Sequence, residues 1–163
     1  MRASRWLAFF VAAVLAVPAW AGGRPRRFAK AGIQYLVPEG WRLTERGTRS
    51  NTITSQDGAA SFTVLLLDAV DLKEGLRAIR KKATEGIQGF SETGRSSRLR
   101  LGGMSAVRLR GTGKSGQMDV ELFVMSTGED RAVGLVRTAW KVRMSRHKSA
   151  MDTIVKSVKR LRD

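Results

Sequence analysis

Apolar residues in this chain recur with period two over most of its length and switch to helical spacing in only two places, which limits the fold more tightly than any other feature. Ile33, Tyr35 and Val37 alternate with more polar neighbours, and Pro38-Glu39-Gly40 then turns the chain into Trp41, expected as a lid over one end of the core. Thr44 to Asn51 is polar and reads as a loop. A short strand follows at Thr52 to Ser55, with a hairpin signal at Asp57-Gly58. Ser61 to Leu67 ends in bulky residues on both faces, as a central strand covered on both sides would.

The first helical stretch is Asp71 to Gly89, where Leu72, Leu76, Ile79 and Ala83 share a face. Asp71 and Glu74 make a capping pair, and Gly86 is placed to end the helix in a left-handed conformation. Gln117 to Ser126 and Ala132 to Trp140 read as an antiparallel pair of strands, and Lys141 to Lys148 as a loop. The second helical stretch carries Met151, Ile154, Val155, Val158 and Leu161, with Ser149 and Asp152 as its capping box, although Ser145 offers an earlier start. No internal repeat or second domain boundary interrupts this order. It predicts an α+β fold, a mostly antiparallel β-sheet flanked by helices.

The amino-terminal residues follow a different logic. Arg2 and Arg5 precede an apolar run of 15 residues from Trp6 to Trp20, and Ala19-Trp20-Ala21 supplies the small-residue pattern of a cleavage site. Residues 1–21 are therefore expected to be a signal peptide. The run is shorter than the ~20 residues that span hydrocarbon, so no membrane span is expected in the mature chain. No cysteine follows it, so no lipid anchor is expected either. Residues 22–31 lack apolar periodicity and carry four positive charges, which reads as a flexible basic arm before a single domain over 32–163. The expected location is periplasmic or secreted.

The whole chain carries 30 basic and 14 acidic residues, a formal charge of +16, and loss of Arg2 and Arg5 leaves +14. That excess points to an anionic partner. The absence of cysteine excludes disulfides, thiolate metal sites and thiol nucleophiles together.

The clearest basic pattern is the hairpin of Ser97 to Leu101 and Ser105 to Gly111. A three-residue turn, Gly102-Gly103-Met104, places Leu99 opposite Val107 and Arg98 opposite Arg108. Leu99, Leu101, Val107 and Leu109 then share one face and Arg98, Arg100, Arg108 and Arg110 the other; a two-residue turn mixes the faces. Arg77 and Lys81 on the first helix are expected to assist this arginine face.

Other motifs carry less chemistry. Gly111-Thr112-Gly113-Lys114-Ser115-Gly116 resembles a phosphate-binding loop, but Arg108 stands where its first glycine belongs and a strand follows where a helix should, so it reads as a hairpin turn. His147 is the only histidine and has no neighbouring carboxylate or nucleophile pattern for a triad or metal site. Asp119 and Glu121 lie about 7 Å apart on one strand face by strand geometry, which suits either a shallow acidic site or ion pairs with Arg108, Arg110 or Arg137. Few aromatic residues remain for base stacking, which speaks against nucleic acid as partner. No catalytic, cofactor-binding or metal-binding set is expected.

Tyr35-Leu-Val-Pro-Glu-Gly-Trp41, Leu101-Gly-Gly-Met-Ser-Ala-Val-Arg-Leu109 and Ile154-Val-Lys-Ser-Val158, with the leader and the closing strands and helix, resemble the PsbP-like superfamily from about Ile33 to Leu161. The resemblance implies an α/β/α sandwich whose central antiparallel sheet is covered by helices. It also implies a non-enzymatic binding, assembly or adaptor role, often exported or lumenal. The expected function is thus an exported binding module whose basic surface meets an anionic protein, lipid or polyanion of the cell envelope. The alternatives are an envelope enzyme using Asp119 and Glu121, and a carrier with an enclosed apolar cavity.

Overall fold

The computed structural model describes residues 23–128 and 131–161, so the expected signal peptide lies outside the described residues. In chain order the elements are β1 (Gly23–Phe28), β2 (Ile33–Pro38), β3 (Trp41–Arg46), β4 (Ser50–Ser55), β5 (Ala60–Leu67), α1 (Leu72–Gly86) and β6 (Ser91–Glu92). Then follow β7 (Ser97–Leu101), β8 (Met104–Gly113), β9 (Met118–Gly128), β10 (Arg131–Trp140), α2 (Met144–Ser157) and β11 (Lys159–Arg160).

Every strand pairing is antiparallel. The large sheet has the order β3-β4-β5-β10-β9-β8-β6, with β7 also paired to β8, and a small sheet has the order β1-β2-β11. The alternation in β9 shows how the layers form. Val120, Leu122 and Val124 pack with Ile79 and Ala83 of α1. Phe123 and Met125, pointing the other way, pack with Ile33 and Tyr35 of the small sheet and Ile154 of α2. The large sheet is thus sandwiched between α1 on one side and α2 with the small sheet on the other. β5 is buried on both faces as its sequence predicts, with Phe62 and Val64 on the α2 side and Leu65 and Leu67 on the α1 side.

The α1 layer sits close to the sheet because Gly75 has no side chain. A Cβ there would lie 2.6 Å from Val124 Cγ1 and 3.1 Å from the Ala132 Cβ. The Asp71 side chain accepts from the Glu74 amide at 2.7 Å, as expected, while the Glu74 carboxylate reaches back to the Val70 amide. Gly86 does not end the helix in a left-handed conformation. Ile87 follows in extended conformation and donates to the Ala83 carbonyl.

Further expectations are corrected in the strands and in α2. The expected flexible arm is strand β1, paired with β2 from Gly23 opposite Pro38 to Phe28 opposite Ile33. Its exposed arginines hide the signal, because an edge strand held by backbone bonds needs no apolar stripe, and Phe28 alone anchors it in the core. The polar stretch expected as a loop at 44–51 is instead part of the β3–β4 hairpin, and its β3 residues are exposed for the same reason, at an edge of the large sheet. α2 begins at Met144, so the expected loop at Lys141 to Lys148 shortens to one 3-10 turn, Lys141–Arg143. The same helix stops at Ser157, where Ser157 Oγ donates to the Ile154 carbonyl and accepts from the Leu36 amide. Lys159 and Arg160 therefore belong to β11 rather than to a helix end.

Candidate functional site

The arginine hairpin is also corrected. Gly102 and Gly103 have φ values of 54° and 83°, and Leu101 stands directly opposite Met104. This is a two-residue turn of the kind that needs positive φ at both central positions. Arg98 is opposite Val107, Leu99 opposite Ala106 and Arg100 opposite Ser105. Met104 and Ala106, rather than Val107 and Leu109, complete the apolar face of Leu99 and Leu101, while Leu109 packs under α1. Both sides of β8 are covered, so neither alternation alone specified the register.

The four arginines consequently separate. Arg98 and Arg100 lie on the α1 side of the sheet and are exposed; Arg100 Nη2 donates to the Gly103 carbonyl at 2.6 Å. Arg108 and Arg110 lie on the α2 side. Arg108 is half-buried opposite Phe123, and Arg110 Nε is 3.3 Å from Glu121 Oε1. Arg77 and Lys81 are exposed on α1, in long contacts with Glu74 at 4.0 Å and Glu85 at 3.9 Å. Arg98 and Arg100 thus lie on the side of the sheet that α1, the carrier of Arg77 and Lys81, covers, and Arg108 and Arg110 lie on the opposite side.

Of the two acids on β9, Asp119 lies 4.0 Å from Lys141 Nζ, while Glu121 forms part of a charge chain beneath α2. Glu121 Oε2 is 2.5 Å from Arg137 Nη2, Arg137 Nη1 is 2.6 Å from Asp152 Oδ1, and Lys148 Nζ is 2.5 Å from Asp152 Oδ2. Burial works to raise the pKa of Asp152, but hydrogen bonds from Lys148 and Arg137 outweigh it and hold the carboxyl below its ordinary range. Arg137 is buried, and its Nε has no hydrogen-bond partner among the described residues. A groove of about 290 Å³ runs past Asp119, Glu121, Arg110, Arg137 and Lys148. Each Glu121 oxygen already faces a guanidinium, so the arrangement suits a clamp between sheet and helix better than proton transfer.

A second cluster escaped the sequence reading. His147 is buried on α2, with Nε2 3.0 Å from Asp57 Oδ2 and its ring edge-on to Trp41 at a centroid distance of 5.9 Å. Ser55 Oγ donates to Asp57 Oδ1 at 2.7 Å and accepts from the Ala60 amide, and the Ala59 amide donates to the same Asp57 oxygen. These donors, those of Ser55 and the Ala59 amide foremost, push the Asp57 carboxyl well below the usual range. An ionised carboxylate only accepts, so the proton of this contact sits on His147 Nε2. Serine, aspartate and histidine are all present, but the serine donates to the carboxylate instead of to the imidazole, so no activated nucleophile results. No sequence signal joins residues 90 positions apart; the Asp57-Gly58 turn and the helical spacing of α2 explain each one separately.

Among the described residues no group of three or more histidines and carboxylates is arranged to hold a metal ion. The larger cavities are surface grooves. One of about 890 Å³ runs past Arg27, Ser105, Thr127, Lys159 and Arg160, and an apolar one of about 420 Å³ past Pro25, Tyr35, Leu36 and Val158. Neither is the enclosed apolar cavity that a carrier of the expected kind requires. Lys114 and Ser115, in the phosphate-loop-like segment, have φ of 51° and 54° and form a hairpin turn between β8 and β9, as expected.

No protein-family model matches the chain, and no curated protein matches its sequence. Solved structures do match its shape. The cyanobacterial PsbP protein CyanoP of Synechocystis is 13% identical, with 86% of this chain and 93% of that one aligned and a TM-score of 0.62. LpqN of Mycobacterium tuberculosis, a protein involved in cell envelope biogenesis, is 20% identical over 86% of each chain with a TM-score of 0.50. A protein of Bacteroides thetaiotaomicron is 15% identical with a TM-score of 0.55, over 88% of this chain and 50% of that one. The fold is PsbP-like, in agreement with the resemblance in the sequence.

Proposed function

We propose that this PsbP-like chain is an exported, non-catalytic binding or assembly module that engages an anionic partner of the cell envelope through the α1 side of its large sheet. The observation that carries the reading is the exposure of Arg98 and Arg100 side by side on one face, with no carboxylate paired to either among the described residues. Arg77 and Lys81 on α1 add positive charge on the same side of the sheet, held only by contacts of 3.9 Å or longer. Exposed pairs of that kind contribute little, so these cations can be drawn to a partner at small cost. Arg108 and Arg110 drop out of the binding surface, since the first is half-buried and the second is engaged by Glu121.

The leader-like sequence of residues 1–21 supports export, and LpqN, which shares the fold at low identity, is involved in cell envelope biogenesis. The reading requires no cofactor. It is tested by retention on immobilised polyglutamate and on vesicles containing phosphatidylglycerol. Arg98→Gln with Arg100→Gln should lower retention, and Arg108→Gln with Arg110→Gln should leave it nearly unchanged. Equal behaviour of the two double variants removes the α1 side as the binding face.

A further inference from the structure

We infer that the outer edge of β7 receives the partner as an added antiparallel strand, and that this partner is an extended protein segment with acidic, apolar and acidic residues in succession. The inference rests on the proposed anion-binding reading and specifies how that surface recognises its ligand.

Among the described residues β7 pairs with β8 alone, leaving its other edge without a strand. The two-residue turn sets which backbone groups face that edge. Leu101 and Met104 flank the turn and exchange hydrogen bonds, so Leu99 with Ala106 and Ser97 with Arg108 do the same, two residues apart. Arg98 and Arg100 therefore direct their amide and carbonyl groups outward. The residues that offer free backbone groups are also those with exposed cationic side chains.

An incoming antiparallel strand would set residues i and i+2 against Arg100 and Arg98, with side chains on the α1 side. Acidic groups there form cross-strand pairs of opposite charge. Residue i+1 would lie against Leu99, which is half-buried and packed on the core of the other face, so an apolar side chain extends that contact.

The same geometry excludes a second copy of this chain as occupant. Antiparallel pairing of two β7 edges about Leu99 would set Arg98 of each copy against Arg100 of the other, and like charges directly opposed are repulsive. Charged edges serve natural sheets in this way. The charge that blocks self-pairing favours an acidic strand, and strand addition takes its affinity from the main chain and its specificity from alternate side chains.

The test uses the purified protein and a fluorescent peptide of alternating glutamate and valine, with polyglutamate as the unstructured anion. N-methylation of the glutamate amides, which face β7 in the added strand, should weaken peptide binding about tenfold or more through lost backbone bonds. N-methylation of the valine amides should leave binding intact. Hydrogen exchange at the Arg98 and Arg100 amides should slow on binding, while that at Leu99 is little changed. Equal binding of both methylated peptides, or retention of polyglutamate through Arg98 and Arg100 without peptide binding, overturns strand addition and leaves the anion reading in place. Loss of binding to every anion overturns both.

Discussion

At the scale of single residues, Arg137 carries the largest electrostatic burden. It lies buried between Glu121 and Asp152, so it joins β9, β10 and α2 at one guanidinium. Arg137→Ala takes a guanidinium from each of two carboxylates, which keep only Arg110 and Lys148 as partners, and urea denaturation should show a loss of about 2–3 kcal/mol. A loss below about 1 kcal/mol would mean that the charge chain contributes little to docking the helix. Asp57 gives a prediction in pH. Its folded pKa is lowered chiefly by the Ser55 hydroxyl and the Ala59 amide. The stabilisation is complete above the unfolded carboxyl value of about 3.9. It drains as pH falls below that value, because the unfolded state takes up protons first, and is gone once pH has passed the depressed folded value. In thermal melts from pH 5 to pH 2, Asp57→Asn should show a flatter acid limb than the wild type; parallel limbs would contradict the assignment. Neither group was legible as a unit. Glu121 with Arg137 was foreseeable as a cross-strand pair, but Asp152 and His147 joined their partners only when α2 packed down, and nothing local in the chain encodes that.

At the scale of elements, the β7–β8 turn shows where sequence reasoning stopped. Period two fixes which residues share a face within one strand, but it does not fix turn length when apolar residues occupy both faces of the next strand. Leu109 and Ala106 are both buried, on opposite faces, so odd and even loops each satisfied some of the pattern. The glycines distinguish them physically. Gly102 has φ 54°, and a Cβ there would stand 2.2 Å from the Val158 carbonyl oxygen and 2.7 Å from the Lys159 Cα, whereas a Cβ on Gly103, at φ 83°, would meet no heavy atom within 4 Å. Gly103→Ala should cost about 1 kcal/mol for left-handed strain alone. Gly102→Ala adds a backbone collision between the hairpin and the α2–β11 connection and should cost about 2–4 kcal/mol, read by chemical denaturation. Equal costs would mean that the turn does not pack on that connection. The strands β1 and β3 were missed for a related reason: each lies at an edge, with a largely exposed run of side chains. Helix α1 was legible because its cap and its apolar face agree, while α2 begins without a side-chain cap.

At the scale of the whole molecule, layer order followed from periodicity, since two helical stretches among many alternating ones leave few arrangements besides a covered antiparallel sheet. The PsbP-like shape carries that reading through at identities of 13–20%. Charge was legible as a total of +16, but its distribution depended on one register step, which moved Arg98 and Arg100 to the α1 side and left Arg108 and Arg110 facing α2. The most direct measurement is therefore the affinity for polyglutamate, titrated calorimetrically at several salt concentrations, for the wild type and both arginine double variants. Wild type and Arg108→Gln/Arg110→Gln should weaken together and steeply with salt, while Arg98→Gln/Arg100→Gln should bind more weakly at low salt with a shallower dependence. A steep, wild-type dependence in Arg98→Gln/Arg100→Gln would contradict the account.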